Sequence, residues 1–405
     1  VLSGAISALI SMKITQQFSI NFPIQFILSA TVAALTVGGK AIGKNIANSK
    51  STEIVHTVGI IGYGGMAGHH HQTLADYDRI RFKGIFDLNS ERGKVAESQG
   101  MIAYSSKEEL LADPEIDIVL IATSNEVHMQ LAIEAMAAGK NVICEKPVTM
   151  SSDELVKVME AAKKYNKVFT IDQNRRTNKD FVLMKRNVEA GLIGKPYVIE
   201  SRVEGSRGMP TGWRTIKSLG GGMMLDWGVH LIDQIMYMVD EKVTNVFCKM
   251  YKIQYPEVED NFRLTLTFES GLTAHIEVST NNYITHPRWY VLGTEGTLQI
   301  DDWDCEGKII RCIDKEDVWD EEIIYTKAGP TKTMAPRNQN STETITISEP
   351  LDVVDNLTVV YDQMINAIEG KAELTIKPEQ ALRVMKVMEA AFESDEKSEA
   401  IKTNI

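Results

Sequence analysis

The chain has 405 residues, long enough for two or three domains and a sizeable buried core. Apolar residues make up 43% and charged residues 24%, a globular balance that excludes a disordered, collagen-like or small disulfide-scaffold chain. Asp and Glu number 55 against 43 Lys and Arg, and the formal charge of −12 excludes a broad basic nucleic-acid surface.

The first stretch departs from that average. Residues 14–39, 26 in all, carry no charge. The window Ile20–Gly39 has the length of a spanning helix, which needs about 20 mostly apolar residues. Asn21, Gln25, Ser29, Thr31 and Thr36 dilute it. Lys40, Lys44 and Lys50 follow, so membrane attachment here would leave the downstream chain on the cytoplasmic side. The alternative is an apolar extension, residues 1–53, foreign to the rest of the chain. No basic region precedes the apolar stretch, which argues against a secretory signal. Val1 in place of Met fits a processed or truncated chain. The four cysteines, at 144, 248, 305 and 312, form no C-x-x-C pair, so reduced thiols in a cytoplasmic protein are expected rather than a zinc or redox motif.

From residue 57 apolar strands alternate with helices. Thr57–Gly62, Phe82–Asp87, Asp117–Ala122, Asn141–Glu145 and Lys167–Ile171 read as buried strands. Met66–Tyr77, Ser90–Gln99, Glu126–Ala138 and Ser152–Tyr165 read as the helices between them, the last with Ser151 and Glu154 placed for a capping box. Such alternation predicts a doubly wound parallel sheet covered on both faces, over residues 54–173. After a helix near Lys179–Ala190 the pattern changes. Tyr197–Gly205, Val243–Ile253, Asn261–Glu269, Leu272–Ser279, Trp289–Leu292 and Thr297–Ile300 read as strands with Gly-bearing turns. Residues 314–350 read as a long loop, and Asp355–Ile368 and Pro378–Ser394 as closing helices. Residues 174–405 are therefore expected to form an α+β substrate-binding domain on a large, mostly antiparallel open sheet.

Gly62, Gly64, Gly65, Met66 and Ala67 lie in a G-x-G-x-x-A turn between a predicted strand and a predicted helix. The first glycine permits the tight turn, the second lets backbone approach a pyrophosphate, and the small last residue lets helix and strand pack closely. The helix start adds free N–H groups for the phosphates. Asp87 ends the second strand, 25 residues after Gly62. A carboxylate there accepts ribose hydroxyls and repels a 2′-phosphate, so NAD is favoured over NADP. His69, His70 and His71 follow. Consecutive helical residues point about 100° apart, so no metal site is expected from them.

Three further segments carry a resemblance. Ala122-Thr-Ser-Asn-Glu-Val-His128, Glu145-Lys146-Pro147, and Gly220-Gly-Gly-Met-Met-Leu-Asp226-Trp-Gly-Val-His230 closely resemble the Gfo/Idh/MocA oxidoreductases, over about residues 57–405. Ser124 stands where many members have proline. The resemblance implies Lys146 and His230 as the catalytic pair, with Asp226 binding substrate and steering the histidine. It also implies that Thr123, Ser124, Asn125, His128, Glu145 and Lys146 line the cofactor, and that the chain is a homo-oligomer, dimer or tetramer, through its antiparallel sheet.

The residues support the same chemistry independently. Lys146 stands at the end of a predicted parallel strand, where open α/β sheets bind ligands, and its ammonium can stabilise a developing alkoxide. Asp226 and His230 are four apart and would share a helix face, which suits an oriented imidazole for proton transfer. Asn174, Arg175, Trp213 and Arg214 are candidates for substrate binding, the arginines as planar forks and Trp213 as a stacking face. The expected activity is NAD-dependent hydride transfer at a secondary hydroxyl of a sugar, inositol or related polyol. Two rival readings are an NAD-dependent glycosidase working by transient oxidation, and a non-catalytic NAD-binding sensor.

Overall fold

The computed structural model describes residues 54–316, 323–331, 337–350, 352–353 and 357–405. The apolar segment of residues 1–53 and its candidate membrane helix lie outside these residues. Among the described residues, no helix is long and apolar enough to cross a membrane.

Residues 56–405 form one compact unit built on two large sheets. The first begins with β1 (His56–Ile61), whose six residues are all buried, as a strand covered on both faces requires. Chain order then runs α1 (Gly65–Thr73), β2 (Ile80–Phe86), α2 (Ser90–Ser98), β3 (Ile102–Ala103), α3 (Lys107–Ala112), β4 (Ile118–Ile121), α4 (His128–Ala137), β5 (Asn141–Cys144), α5 (Ser152–Tyr165) and β6 (Phe169–Ile171). All pairs are parallel, in the order β3-β2-β1-β4-β5-β6. The order reverses between β1 and β4, and the carboxyl ends of the strands beside that point form the ligand crevice of such folds. Side chains set the helix starts. Asn89 caps α2 by accepting from Glu91 N, and Ser106 caps α3 by accepting from Glu109 N. Ser151 caps α5 as expected by accepting from Glu154 N, while the Glu154 carboxylate reaches back to Met150 N, one residue before the cap, in place of the reciprocal bond of a capping box. The short β3 and α3 carry too little periodicity to be read from sequence.

The second half holds α6 (Lys179–Glu189), β7 (Pro196–Glu204), α7 (Val229–Met238), β8 (Val243–Tyr251), β9 (Asn261–Phe268), β10 (Thr273–Ser279), β11 (Trp289–Gly293), β12 (Gly296–Ile300), β13 (Gly307–Cys312), β14 (Ile324–Thr326), β15 (Gly329–Thr331), β16 (Thr342–Ile347), α8 (Thr358–Ile368), α9 (Pro378–Lys397) and β17 (Ile401–Lys402). The nine-stranded sheet runs β16-β13-β12-β11-β7-β10-β9-β8-β17. It is antiparallel except where β7 pairs with β10. Clean alternation of buried and open residues along β9 and β10 shows one face packed and one open.

The expectation of a long loop at 314–350 is corrected here. Thr342–Ile347 is an edge strand of the large sheet, pairing Ile345 with Ile309 of β13, and Ile324–Thr326 with Gly329–Thr331 makes a small hairpin. Thr342, Thr344 and Thr346 supply the open face of this edge strand, and only Ile345 and Ile347 supply apolar side chains to the other, so β16 presents a weak hydrophobic signal.

Candidate active site

Strands of the parallel sheet deliver residues to one edge. After β1, Gly62 turns with φ +87°, and a Cβ there would lie 2.7 Å from the carbonyl oxygen of Ala122. Only glycine fits. A Cβ at Gly64 or Gly65 would meet no atom within 4 Å, so the start of α1 faces open space, and no side chain caps it. Ala67 is fully buried where helix meets sheet, and Met66 is exposed. After β2, the Asp87 carboxylate accepts from Tyr63 N at 2.7 Å and from Asn89 N at 2.8 Å. Each oxygen keeps a lone pair for a further donor. The open glycine turn, the uncapped helix start and this carboxylate fit a dinucleotide's pyrophosphate and ribose.

Beyond β4, Thr123 and Ser124 are half-buried on the turn. Asn125 and His128 depart from the expected cofactor lining. Asn125 is buried and donates to Gly220 O at 3.0 Å, tying this turn to the glycine-rich segment. His128 is buried with Nδ1 2.9 Å from Pro147 O and Nε2 3.2 Å from Thr123 O, so both ring nitrogens face backbone. Burial holds its pKa below the ordinary histidine value. Both residues brace the turn from behind.

Glu145 also turns inward. Its Oε1 lies 3.1 Å from His70 Nε2, which is 3.2 Å from Asp172 Oδ2, and His70 Nδ1 is 2.9 Å from the Tyr361 hydroxyl. All four side chains are buried. Burial pulls the pKa of His70 down, but Tyr361, Asp172 and Glu145 together raise it well above the ordinary value, which favours the protonated ring between Glu145 and Asp172. Burial, with Asp172 adding, raises that of Glu145. Of the three consecutive histidines only His70 enters this cluster. His69 is exposed, and the His71 ring packs edge-on against Phe82. Asn174 joins the cluster too, donating to Asp172 Oδ2 at 3.1 Å. Sequence reasoning missed Asp172 and Tyr361, which have no local motif.

Lys146 follows Glu145 and points to the second half. Its Nζ donates to Asp226 Oδ1 at 3.0 Å and to Asp226 O at 2.9 Å. Arg214 Nε donates to Asp226 Oδ2 at 2.8 Å, and its guanidinium stacks 4.5 Å from the Trp213 ring. Burial would raise the Asp226 pKa, but Lys146 and Arg214 outweigh it and hold the carboxylate below its usual range. Asp226 sits in a π-helical turn, Met224–Gly228, that leads into α7. Its carboxylate is spent on Lys146 and Arg214, and the steering of His230 expected from a shared helix face is not seen. The widened turn interrupts the regular i, i+4 stacking that expectation assumed.

His230 is buried, and its Nδ1 has no hydrogen-bond partner among the described residues. Burial pushes its pKa well below the ordinary value, and the Lys146 and Arg175 charges push it further, so the imidazole is neutral at pH 7. The Arg175 guanidinium lies 4.4 Å over the Trp227 ring, which meets His230 edge-on. Arg176, by contrast, is locked in a buried bidentate pair with Asp233. A cavity of about 570 Å³ opens against Arg214, Asp226 and Trp227.

A dinucleotide turn facing a lysine–aspartate pair and a neutral buried histidine defines a dinucleotide-dependent oxidoreductase. Residues 56–173 match the oxidoreductase family with NAD-binding Rossmann fold, and residues 181–299 match the GFO/IDH/MocA C-terminal domain. The chain belongs to the Gfo/Idh/MocA family of NAD(P)-dependent oxidoreductases. It is 32% identical over 251 residues to the uncharacterized oxidoreductase YrbE of Bacillus subtilis, covering 60% of this chain and 73% of that one. It is 30% identical over 252 residues to myo-inositol 2-dehydrogenase of Thermotoga maritima, covering 60% and 75%. The solved structure of an NAD-binding protein from Listeria innocua is similar with a TM-score of 0.77 at 39% identity, covering 86% of this chain and 97% of that one.

Proposed function

We propose that the protein oxidises a secondary hydroxyl of a sugar, inositol or related polyol with NAD, or reduces the corresponding ketone. The observation that carries this reading is the buried, neutral His230 beside the Lys146–Asp226 pair. NAD, when bound, supplies the hydride acceptor. His230 takes the hydroxyl proton, for which a neutral imidazole is the competent form. Lys146 has three N–H donors and spends two on Asp226, so the third is free to hold the substrate oxygen as charge develops. Asp226, held by Lys146 and Arg214, keeps that ammonium aimed, while Arg214 and Trp213 flank the substrate. In this reading residues 54–173 form the cofactor-binding half and residues 174–405 the substrate-binding half. The open face of the nine-stranded sheet is its self-association surface.

NAD is favoured over NADP because the Asp87 carboxylate stands where a 2′-phosphate would be repelled. Nicotinamide reduction by a panel of sugars and cyclic polyols tests the activity, and no turnover with any member contradicts it. Asp87→Ser should raise KM for NAD by about 10- to 100-fold, the loss of a charge-assisted hydrogen bond, while KM for NADP falls or holds. An unchanged preference between the two would remove Asp87 from this role.

A further inference from the structure

We propose that a second sugar-binding subsite lies beyond His230, with Trp303 as its floor, so that the preferred substrate is a glycoside carrying one more ring than the one oxidised. The inference rests on the reading of His230 as the reacting end of the site.

Two indole rings lead outward from the imidazole. Trp227 lies 6.0 Å from His230, centroid to centroid, and Trp303 lies 5.9 Å from Trp227. Each step is about the span of a pyranose ring. Trp227 is half-buried and Trp303 is 46% exposed, so the row ends at solvent. Trp303 thus presents an amphipathic aromatic surface to solvent at the end of the row.

Trp303 is nonetheless held firmly. It belongs to the tight turn between β12 and β13, where Asp302 accepts from Asp304 N and Cys305 N. Cys305 takes φ +66°, a left-handed conformation that a non-glycine residue adopts at some cost. The Arg288 guanidinium lies 4.7 Å from the Trp303 ring centroid. Arg288 is itself buried and anchored, donating to Ser201 Oγ at 2.7 Å and Gln234 Oε1 at 3.2 Å, with Asp180 at 3.2 Å. An exposed aromatic face, braced by a buried cation and continuous with the ring beside the base, is a preorganised platform.

The chemistry fits a sugar ring. A pyranose presents C–H groups on its faces and hydroxyls around its edge. The indole takes the face, and the Arg175 guanidinium, 5.7 Å from the Trp303 ring centroid, borders the row as a donor for edge hydroxyls, while Arg288 stays on its buried partners. A free monosaccharide reacting at His230 would leave Trp303 uncovered, whereas a ring joined to it lies over Trp303.

Calorimetry on the full chain loaded with NAD tests this with matched pairs: glucose against maltose and cellobiose, and myo-inositol against galactinol. At least one glycoside should bind ten times more tightly than its single-ring partner. Trp303→Ala should bring that ratio to within twofold, and Trp303→Phe should keep most of it. Trp303→Leu, with apolar volume but no aromatic face, serves in place of the alanine variant if that fails to fold. A wild-type protein with no preference for any of these glycosides overturns the proposal, as does a preference that survives loss of the ring. Tight glycoside binding without nicotinamide reduction would contradict the oxidation proposed above and leave the subsite standing. Reduction with equal affinity for one- and two-ring ligands would do the reverse.

Discussion

At His230, burial and the charges of Lys146 and Arg175 act in one direction, and all three favour the neutral ring. A base must be neutral to work, so the acid limb of the kcat–pH profile should lie below 6.5, the ordinary histidine value. Arg175→Met removes one of the cations, and its limb should move upward toward that value. An unmoved limb would show that His230 is not the titrating base. Lys146→Met should lower kcat by about 10²- to 10³-fold, the usual cost of losing one oxyanion donor, and should lower thermal stability as well, since the buried Asp226 carboxylate keeps only Arg214 as its cation. His70 answers to stability instead. Its raised pKa means its contribution is complete below 6.5 and is lost only as pH rises through the higher folded value. His70→Ala strands two buried carboxylates and should cost about 3–5 kcal/mol in urea unfolding at neutral pH. The gap from wild type should narrow at alkaline pH, and a gap that stays constant would mean His70 is not the cation described. Lys146, Asp226 and His230 were legible because each lies in a compact motif. His70 was not, since nothing local distinguishes the one buried histidine of three from its neighbours.

Elements place these groups through a few tight contacts. Gly222 has φ +107°, and a Cβ there would collide with the Glu259 carboxylate, which accepts from Met224 N at 2.9 Å. That bond opens the turn carrying Asp226. The left-handed backbone alone costs an alanine about 1–2 kcal/mol, and displacement of Glu259 adds to it. Gly222→Ala should therefore lower both the urea midpoint and kcat. A variant as stable and active as wild type would show that the turn tolerates a different path. Neighbouring glycines are crowded as well: a Cβ at Gly220 would meet the Asn125 side chain, and one at Gly221 the backbone carbonyls of Arg214 and Trp213. The π-helical turn at Met224–Gly228 was beyond sequence reasoning, because it differs from an α-helix only in how far each hydrogen bond reaches. The edge strand β16 escaped for another reason: its stability comes from pairing with β13, some 30 residues away in sequence, rather than from its own composition.

Over the whole molecule, α9 joins the two sheets. Glu389 accepts from Ser152 N and Oγ at the start of α5, and further along the helix Ser394 accepts from Cys248 N of β8. The carboxyl edge of the parallel sheet is thereby fixed relative to the π-turn and α7, and Lys146 reaches Asp226 across 80 positions of chain. The two-sheet plan was legible from the change in periodicity after residue 173, but this bridge was not, since a closing helix can dock in many places. In the proposed reaction this geometry would bring one proton acceptor, His230, and one oxyanion donor, Lys146, to a single carbinol, with the hydride passing to the nicotinamide. Deuterium tracing tests that most directly. A polyol or sugar that the protein turns over, deuterated at the carbon being oxidised, is incubated with NAD, and the reduced nicotinamide is examined by mass. The account predicts one deuterium per reduced nicotinamide, with none released to water. Deuterium appearing in water, or product forming with no label on the nicotinamide, would contradict it.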